Sequence, residues 1–130
     1  MSDVGYFSNM FHDFGDLSVD LDDALNILVR SYRTEVSESE KKQAKKNLLA
    51  LLTLILEDTG ASLPIRDQQI RQFLKDFMEG KSMTPQVEGI RKKIESDEKL
   101  FDSEINILDE LISQISHQAT VAFRRMRKAI

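Results

Sequence analysis

Residues 48–56 read LLALLTLIL, an apolar run in which only Thr53 is polar. The run lies inside a longer predicted helix that Ser37 or Ser39 opens and that ends near residues 58–60. A helix that is apolar on every face has to be covered on nearly every side. We therefore predict that residues 37–58 form a central helix and that the other amphipathic segments of the chain cover it.

The composition is typical of a single folded helical domain. The chain has 130 residues, of which 41% are hydrophobic and 31% are charged, which suits a domain with a core of its own. Prolines and glycines are few, and the alternation at period two that marks a β-strand is missing. We predict an all-α fold, a compact bundle of about five helices that forms one domain over residues 1–130.

Several classes of protein are disfavoured by what the sequence lacks. Cysteine is absent, which removes disulfides, Cys-ligated zinc and thiol nucleophiles and fits a reducing compartment. No Lys or Arg precedes Arg30, so a secretory signal is not predicted. The apolar run at 48–56 is far shorter than the roughly 20 residues that a membrane-spanning helix needs. These features predict a cytoplasmic protein without a transmembrane segment.

The first 16 residues predict a short N-terminal helix with an aromatic face, bracketed by Gly5 and Gly15. Four apolar side chains fall at the i, i+3, i+4, i+7 spacing of one helical face: Phe7, Met10, Phe11 and Phe14. An isolated helix this short is marginal in water, so we expect it to form only when docked. Two interpretations are open. Residues 1–16 dock on the bundle formed by residues 17–130, or they anchor in a groove of another protein or another copy.

Start and stop signals divide the middle of the chain. Two helices are expected. Ser18 or Asp20 can cap the first, which has Asp22 and Asp23 in its first turn and ends near Arg33, and the second covers residues 65–79. Gly80 is predicted to occupy the C′ position that favours a left-handed backbone. Thr84 followed by Pro85 predicts the N-cap and the first residue of a further helix. Whether that helix stops near residues 96–97 or continues is open, since no glycine or proline follows Gly89.

The last helix has the longest apolar pattern. From Phe101 to Ala129, apolar residues recur at alternating spacings of four and three, an a/d seam of about four heptads. Three further side chains make the stripe wider than one neighbouring helix requires: Ile107, Leu111 and Phe123. We predict that these three contact a second copy of the chain, because two-fold dimers are the commonest soluble oligomers. The alternative is a monomer in which Ile107 and Leu111 pack on the preceding helix.

Charge is distributed unevenly along the chain. Residues 1–29 carry six aspartates and no Lys or Arg. Residues 111–130 carry no acid and four bases, which we call the basic turns: Arg124, Arg125, Arg127 and Lys128. The basic turns fit three interpretations: a complement to the helix dipole, pairing with the acidic head in the same chain or a neighbouring copy, or contact with nucleic acid or an anionic membrane. The formal net charge of -4 weakens the nucleic-acid interpretation.

No catalytic or metal site is predicted, and no cofactor. His12 and His117 each stand alone, and no carboxylate pair has the Glu-x-x-His spacing of a di-iron bundle. Gly-rich phosphate loops, GxSxG and HExxH are missing. The sequence therefore predicts a non-catalytic protein–protein interaction module, a regulatory, adaptor or assembly subunit that self-associates. The alternative is a nucleic-acid-associated regulator that acts through the basic turns.

Overall fold

The computed structural model describes the backbone of residues 3–57 and 65–129, and the side chains of residues 14–57, 68–125 and 127–128. Five helices occupy these ranges: α1 (Asp3–Arg30), α2 (Glu38–Leu56), α3 (Ile65–Gly80), α4 (Thr84–Glu95) and α5 (Asp102–Ala129). The predicted all-α bundle with a long C-terminal helix is confirmed.

Helices α1, α2, α4 and α5 form a closed ring, because α1 and α4 each pack against both α2 and α5. α3 also packs against α2 and α5. At one end of the α1–α5 pair, the Leu100 amide donates to the Tyr32 hydroxyl over 3.1 Å. Further along, Ser18 of α1 and Ser116 of α5 line one depression. The two longest helices are therefore antiparallel.

Within the described part of the chain, the apolar run of α2 is buried most deeply on one side. Its inward side chains are at most 5% exposed: Leu48, Leu51, Leu52 and Ile55. Leu49 and Leu54 are partly exposed, however, and Ala50 is exposed. α1, α3 and α4 pack against this helix. Of residues 48–56 only Ala50 is exposed, so the predicted cover is present except at that position.

α1 is one continuous helix of 28 residues. The prediction of a separate short N-terminal helix is therefore wrong, whereas the role of residues 1–16 as a docking segment stays a prediction. Gly15 lies inside the helix, and the Ser18 hydroxyl donates to the Gly15 carbonyl over 2.8 Å instead of capping a new helix. A glycine within a helix costs only about 1 kcal/mol relative to alanine. Packing outweighs that cost, since Phe14 is 1% exposed and meets Phe73 of α3 edge to face, with ring centroids 5.8 Å apart.

The turn after α3 is a Schellman motif without a glycine at its left-handed position. The Met83 amide donates to the Met78 carbonyl over 2.9 Å, and the Ser82 amide to the Glu79 carbonyl over 3.1 Å. Ser82 consequently has a left-handed φ of 55°. The prediction that Gly80 takes this position is wrong, because the helix includes Gly80 and turns two residues later.

The turn after α4 repeats this geometry and answers the question left open by the sequence. The Glu98 amide donates to the Lys93 carbonyl over 2.8 Å, and the Asp97 amide to the Ile94 carbonyl over 3.2 Å, with Asp97 at a φ of 59°. The helix that begins at Thr84 therefore stops at Glu95, and α5 is separate from it. Thr84 is the first helical residue and not the N-cap.

The start of α5 is held by a side chain from its own first turn. The Glu104 carboxylate accepts from the Phe101 amide over 2.8 Å and from the Lys93 ammonium over 2.7 Å. This is the reciprocal half of a capping box. Phe101 is consequently 68% exposed and lies outside the helix, so the apolar seam begins at Ile105 and not at Phe101.

We expect Ser82→Gly to raise the free energy of unfolding by about 1 kcal/mol, because a left-handed backbone strains an L-residue with a Cβ but not glycine. Lys81→Gly is the matched control, since that neighbouring position is not left-handed, and it should lower stability. Urea melts of both variants check this. Equal losses in the two variants would contradict the assigned strain.

Candidate protein interaction site

The wide apolar stripe of α5 faces inward. Leu111 is fully buried in the core of its own chain, and Ile107 is partly buried against that core. The extra width has a physical reason, because α5 packs against three helices, α1, α3 and α4, and not against one. Leu111 therefore offers no surface to a second copy in this arrangement of the chain. Phe123, further along α5, is 37% exposed.

Of the four side chains on the predicted aromatic face, the structure describes that of Phe14 only. Phe14 is buried against Phe73 within its own chain, so this member of the predicted face docks in cis and is not an anchor for a partner. Phe7, Met10 and Phe11 lie within α1, but their side chains fall outside the described residues. Their predicted contact with a partner stays a prediction.

The basic turns are fully on the surface. Arg124, Arg125, Arg127 and Lys128 are all exposed, and the Arg127 guanidinium lies 5.9 Å from the centroid of the Phe123 ring. Arg127 and Lys128 belong to the last turn of α5, where cations complement the helix dipole. Within the described part of the chain, Arg124, Arg127 and Lys128 form no ion pair.

Four exposed acids, which we call the head aspartates, lie on α1: Asp16, Asp20, Asp22 and Asp23. None of them forms an ion pair with another described residue. Antiparallel packing explains this, because Asp22 and Ser18 line a depression with Asp109 and Ser116 of α5. Arg124 lies eight residues beyond Ser116, which is about 12 Å along a helix. Head and tail are therefore not paired in cis at these residues.

The surface between α1 and α2 carries a groove with an apolar floor, which we call the α1/α2 groove. One part of it encloses about 300 Å³ and is lined by Leu17, Asp20, Leu21, Asn47, Ala50, Leu51 and Leu54. A second part is lined by Asp20, Asp23, Ala24, Ile27, Ser39, Glu40, Gln43, Ala44 and Asn47. Asp20 and Asn47 line both parts, so the two form one continuous groove along the helix pair.

The rim of the α1/α2 groove is polar and acidic. Asp20 and Asp23 stand on the α1 side, and Asp16 continues their row at the i, i+4, i+7 spacing of one helical face. Glu40 stands on the α2 side, where its only described ion pair is a long one to Arg30, at 3.9 Å. An apolar floor inside a polar rim is the composition of many protein interfaces.

A second, shallow depression is surrounded by lysines of α2. Its lining includes Lys41, Lys42, Lys45 and Lys46, with Asp97 from the turn after α4 between them. The Asp97 carboxylate lies 3.3 Å from the ammonium groups of both Lys41 and Lys45. The hydrogen bond from Lys45, followed by that from Lys41, holds the pKa of Asp97 below its ordinary value of 3.8. Asp97 therefore offsets part of the positive charge here, which makes this surface a weaker candidate than the groove.

We expect Asp97→Asn to lower stability slightly at neutral pH, by less than about 1 kcal/mol, because both partners are exposed to solvent. Asparagine tolerates the left-handed backbone, so the change removes charge alone. A carboxyl whose pKa is lowered by folding adds stability above its unfolded pKa and loses it as the pH falls through the folded value. The difference between the two proteins should therefore shrink as the pH falls below 3.8 and through the lowered pKa of Asp97. A constant difference from pH 7 to pH 2 in urea melts would contradict this.

Other kinds of site find no support in the residues that the structure describes. No three acidic or histidine side chains among them converge to hold a metal ion. No helix among them combines the length and the apolar character needed to cross a membrane. Searches with the sequence and the fold find no matching family model, curated protein or solved structure. The surfaces of the chain itself therefore provide the evidence on its function.

Sequence reasoning missed the α1/α2 groove. A helix that begins near residue 18 separates Asp16 from Asp20 and Asp23, so only the continuous helix α1 shows the three as one row. Ala50 within the apolar run was a usable signal. A small side chain there leaves a low point on the surface of α2, beside the partly exposed Leu54.

Proposed function

We propose that the chain is a non-catalytic helical interaction module and that the α1/α2 groove is its docking surface. The observation that carries this proposal is the open apolar floor of the groove. Leu17, Ile27 and Leu54 are partly exposed along it, and Ala50 is exposed. Single exposed apolar residues are ordinary on a protein surface, whereas these line one continuous groove.

The shape of the groove favours a helix as its occupant. Two packed helices leave a valley between them, and a third helix can lie in that valley with its apolar side chains against the floor. The floor lies between Leu17 and Leu54 at one end and Ile27 and Ala44 at the other. Ten residues of α1 separate Leu17 from Ile27, about 15 Å, which suits two to three turns of an incoming helix.

A role in assembly, adaptation or regulation fits such a module better than catalysis does. The groove is lined by leucine, alanine and isoleucine with carboxylates and amides at its rim, and it contains no histidine. We propose a cytoplasmic setting, in line with the lack of cysteine.

The proposal is tested by placing a photoreactive amino acid at Ala50, on the groove, and separately at Glu88, an exposed residue of α4 that does not border it. In cells that express the chain, we expect discrete cross-linked products from position 50 and none of these from position 88. Leu54→Glu, which places a charge on the floor, should remove the products. No product from position 50, or the same products from both positions, would contradict the proposal.

A further inference from the structure

We infer that the α1/α2 groove binds the basic end of α5 from a second copy of the chain, so that two copies pair through two equivalent contacts. This inference rests on the proposed function, because it names the occupant of the proposed docking surface. The groove supplies acids around an apolar floor, and the end of α5 supplies bases around a partly exposed aromatic ring.

The charges on the two surfaces are complementary, and most of them form no ion pair with the residues that the structure describes. The head aspartates form no described ion pair, and neither do Arg124, Arg127 and Lys128. Within one chain, Arg124 lies about 12 Å beyond the level of Ser18, and about 9 Å beyond the level of Asp16, the nearest of the head aspartates. The screening length at physiological salt is about 8 Å, so attraction between these groups in cis is weak. A second copy can bring them into contact.

The spacing of the charges suits two helices lying side by side. Asp16, Asp20 and Asp23 recur at i, i+4 and i+7 along α1, and Arg124 and Lys128 at i and i+4 along α5. Each set therefore lies on one face of its helix. The basic pair spans about 6 Å and the acidic row about 10 Å, so both bases can face acids at once. Salt bridges of this kind set orientation and partner choice more than affinity.

The occupant keeps its own fold in this arrangement. Ala119 and Ala122 are buried within the chain, and they hold the C-terminal half of α5 in place. The surface that reaches the second copy is the outer face of α5, where Phe123 is 37% exposed beside Arg127. Apolar contact between this ring and the groove floor adds to the charge pairing. No segment has to be exchanged between copies.

A two-fold pair closes both contacts, because every chain carries both surfaces. Each copy contributes one groove and one basic end, so a symmetric pair satisfies both and leaves neither exposed. Another protein with a similar basic and apolar surface could bind in the α1/α2 groove only by displacing the end of α5 of the second copy. Like ends repel, which disfavours other arrangements of the pair.

The test uses charge reversal in the full chain, measured by analytical ultracentrifugation at low and high salt. The groove variant carries Asp20→Lys and Asp23→Lys, and the tail variant carries Arg124→Glu and Lys128→Glu. We expect the unmodified chain to be a dimer whose dissociation constant rises with salt, and each variant alone to dimerise at least about tenfold more weakly. An equimolar mixture of the two variants should form a heterodimer. In it, the now basic groove of one variant meets the now acidic tail of the other, and the unmodified tail of the first meets the unmodified groove of the second.

A matched control reverses two acids outside the groove, Glu79→Lys and Glu88→Lys, both of which are exposed. This control should dimerise as the unmodified chain does, and circular dichroism should show that all variants remain helical. A mixture that stays monomeric, or a control as weak as the groove variant, would overturn the inference. So would an unmodified chain that is monomeric at low salt, whether or not it binds a labelled DNA duplex. None of these results removes the proposed function, which cross-linking from position 50 to another protein would still support.

Discussion

Leu52→Ala is expected to lower the free energy of unfolding by about 2–5 kcal/mol, the range for truncating a buried leucine. Leu52 lies in the middle of the LLALLTLIL run and is fully buried. Alanine at this position removes apolar contacts and leaves a cavity that the surrounding helices can fill only in part. The measurement is a urea or guanidinium melt followed by circular dichroism, with unchanged dependence on denaturant as the sign that both proteins unfold alike.

Leu49→Ala is the matched control, because Leu49 is in the same run but is partly exposed. Its truncation should cost roughly 1 kcal/mol, since part of that side chain is already in water. Equal losses at the two positions would mean that the run is covered evenly on all sides, as the sequence first suggested. A loss below about 0.5 kcal/mol at Leu52 would mean that α2 does not contribute to the core in this way.

Leu111→Glu is expected to leave the chain largely unfolded at neutral pH. Leu111 is fully buried. A carboxylate that is placed in an apolar interior without a partner costs several kcal/mol, a large fraction of the roughly 5–15 kcal/mol that stabilises a small domain. The far-ultraviolet circular dichroism of the variant should therefore show strong loss of helix.

Leu111→Met keeps the volume and the apolar character, so it should cost less than about 1.5 kcal/mol and preserve the fold. Together, the two variants show whether Leu111 lies in the core of its own chain or on an interface between copies. If Leu111→Glu were fully folded and had lost only its ability to self-associate, Leu111 would lie on an interface between copies. The burial of Leu111 predicts the opposite result.

The elements with strong local signals could be predicted from the sequence. Ser37 caps α2 as expected, and its hydroxyl accepts from the Glu40 amide over 3.1 Å. The buried positions of the apolar run recur at helical spacing, and so do those of α5. These predictions succeed because a cap and an amphipathic stripe are decided by residues within a turn or two of each other.

Sequence-based predictions are wrong where contacts between residues far apart in the chain outweigh the local conformational preference. Gly15 predicts a break, yet packing of Phe14 on α3 carries α1 through it. Ser82 and Asp97 take left-handed backbones that the sequence pattern would assign to glycine. The number of helices that pack against α2 and α5 is set by the whole bundle, so neither the exposed side of α2 nor the burial of Leu111 could be inferred from periodicity.

The candidate site was predictable only in its charges. The sequence identifies an acidic head and the basic turns, but it leaves open whether they meet within one chain. Antiparallel packing of α1 and α5 places Asp22 beside Asp109 and not beside the bases, and the head aspartates remain unpaired among the described residues. The groove itself depends on how α1 and α2 pack, which no short stretch of sequence specifies.

The most direct measurement of the contact between copies uses the absence of native cysteine. A chain carrying Ala50→Cys is mixed with a chain carrying Lys128→Cys, and the mixture is oxidised gently at low salt and separated without reductant. The account predicts a disulfide-linked product of twice the 14.9 kDa chain mass that contains one copy of each variant. It predicts far less product when Glu88→Cys replaces Ala50→Cys. Equal yields from the two mixtures, or no mixed product from positions 50 and 128, would contradict it.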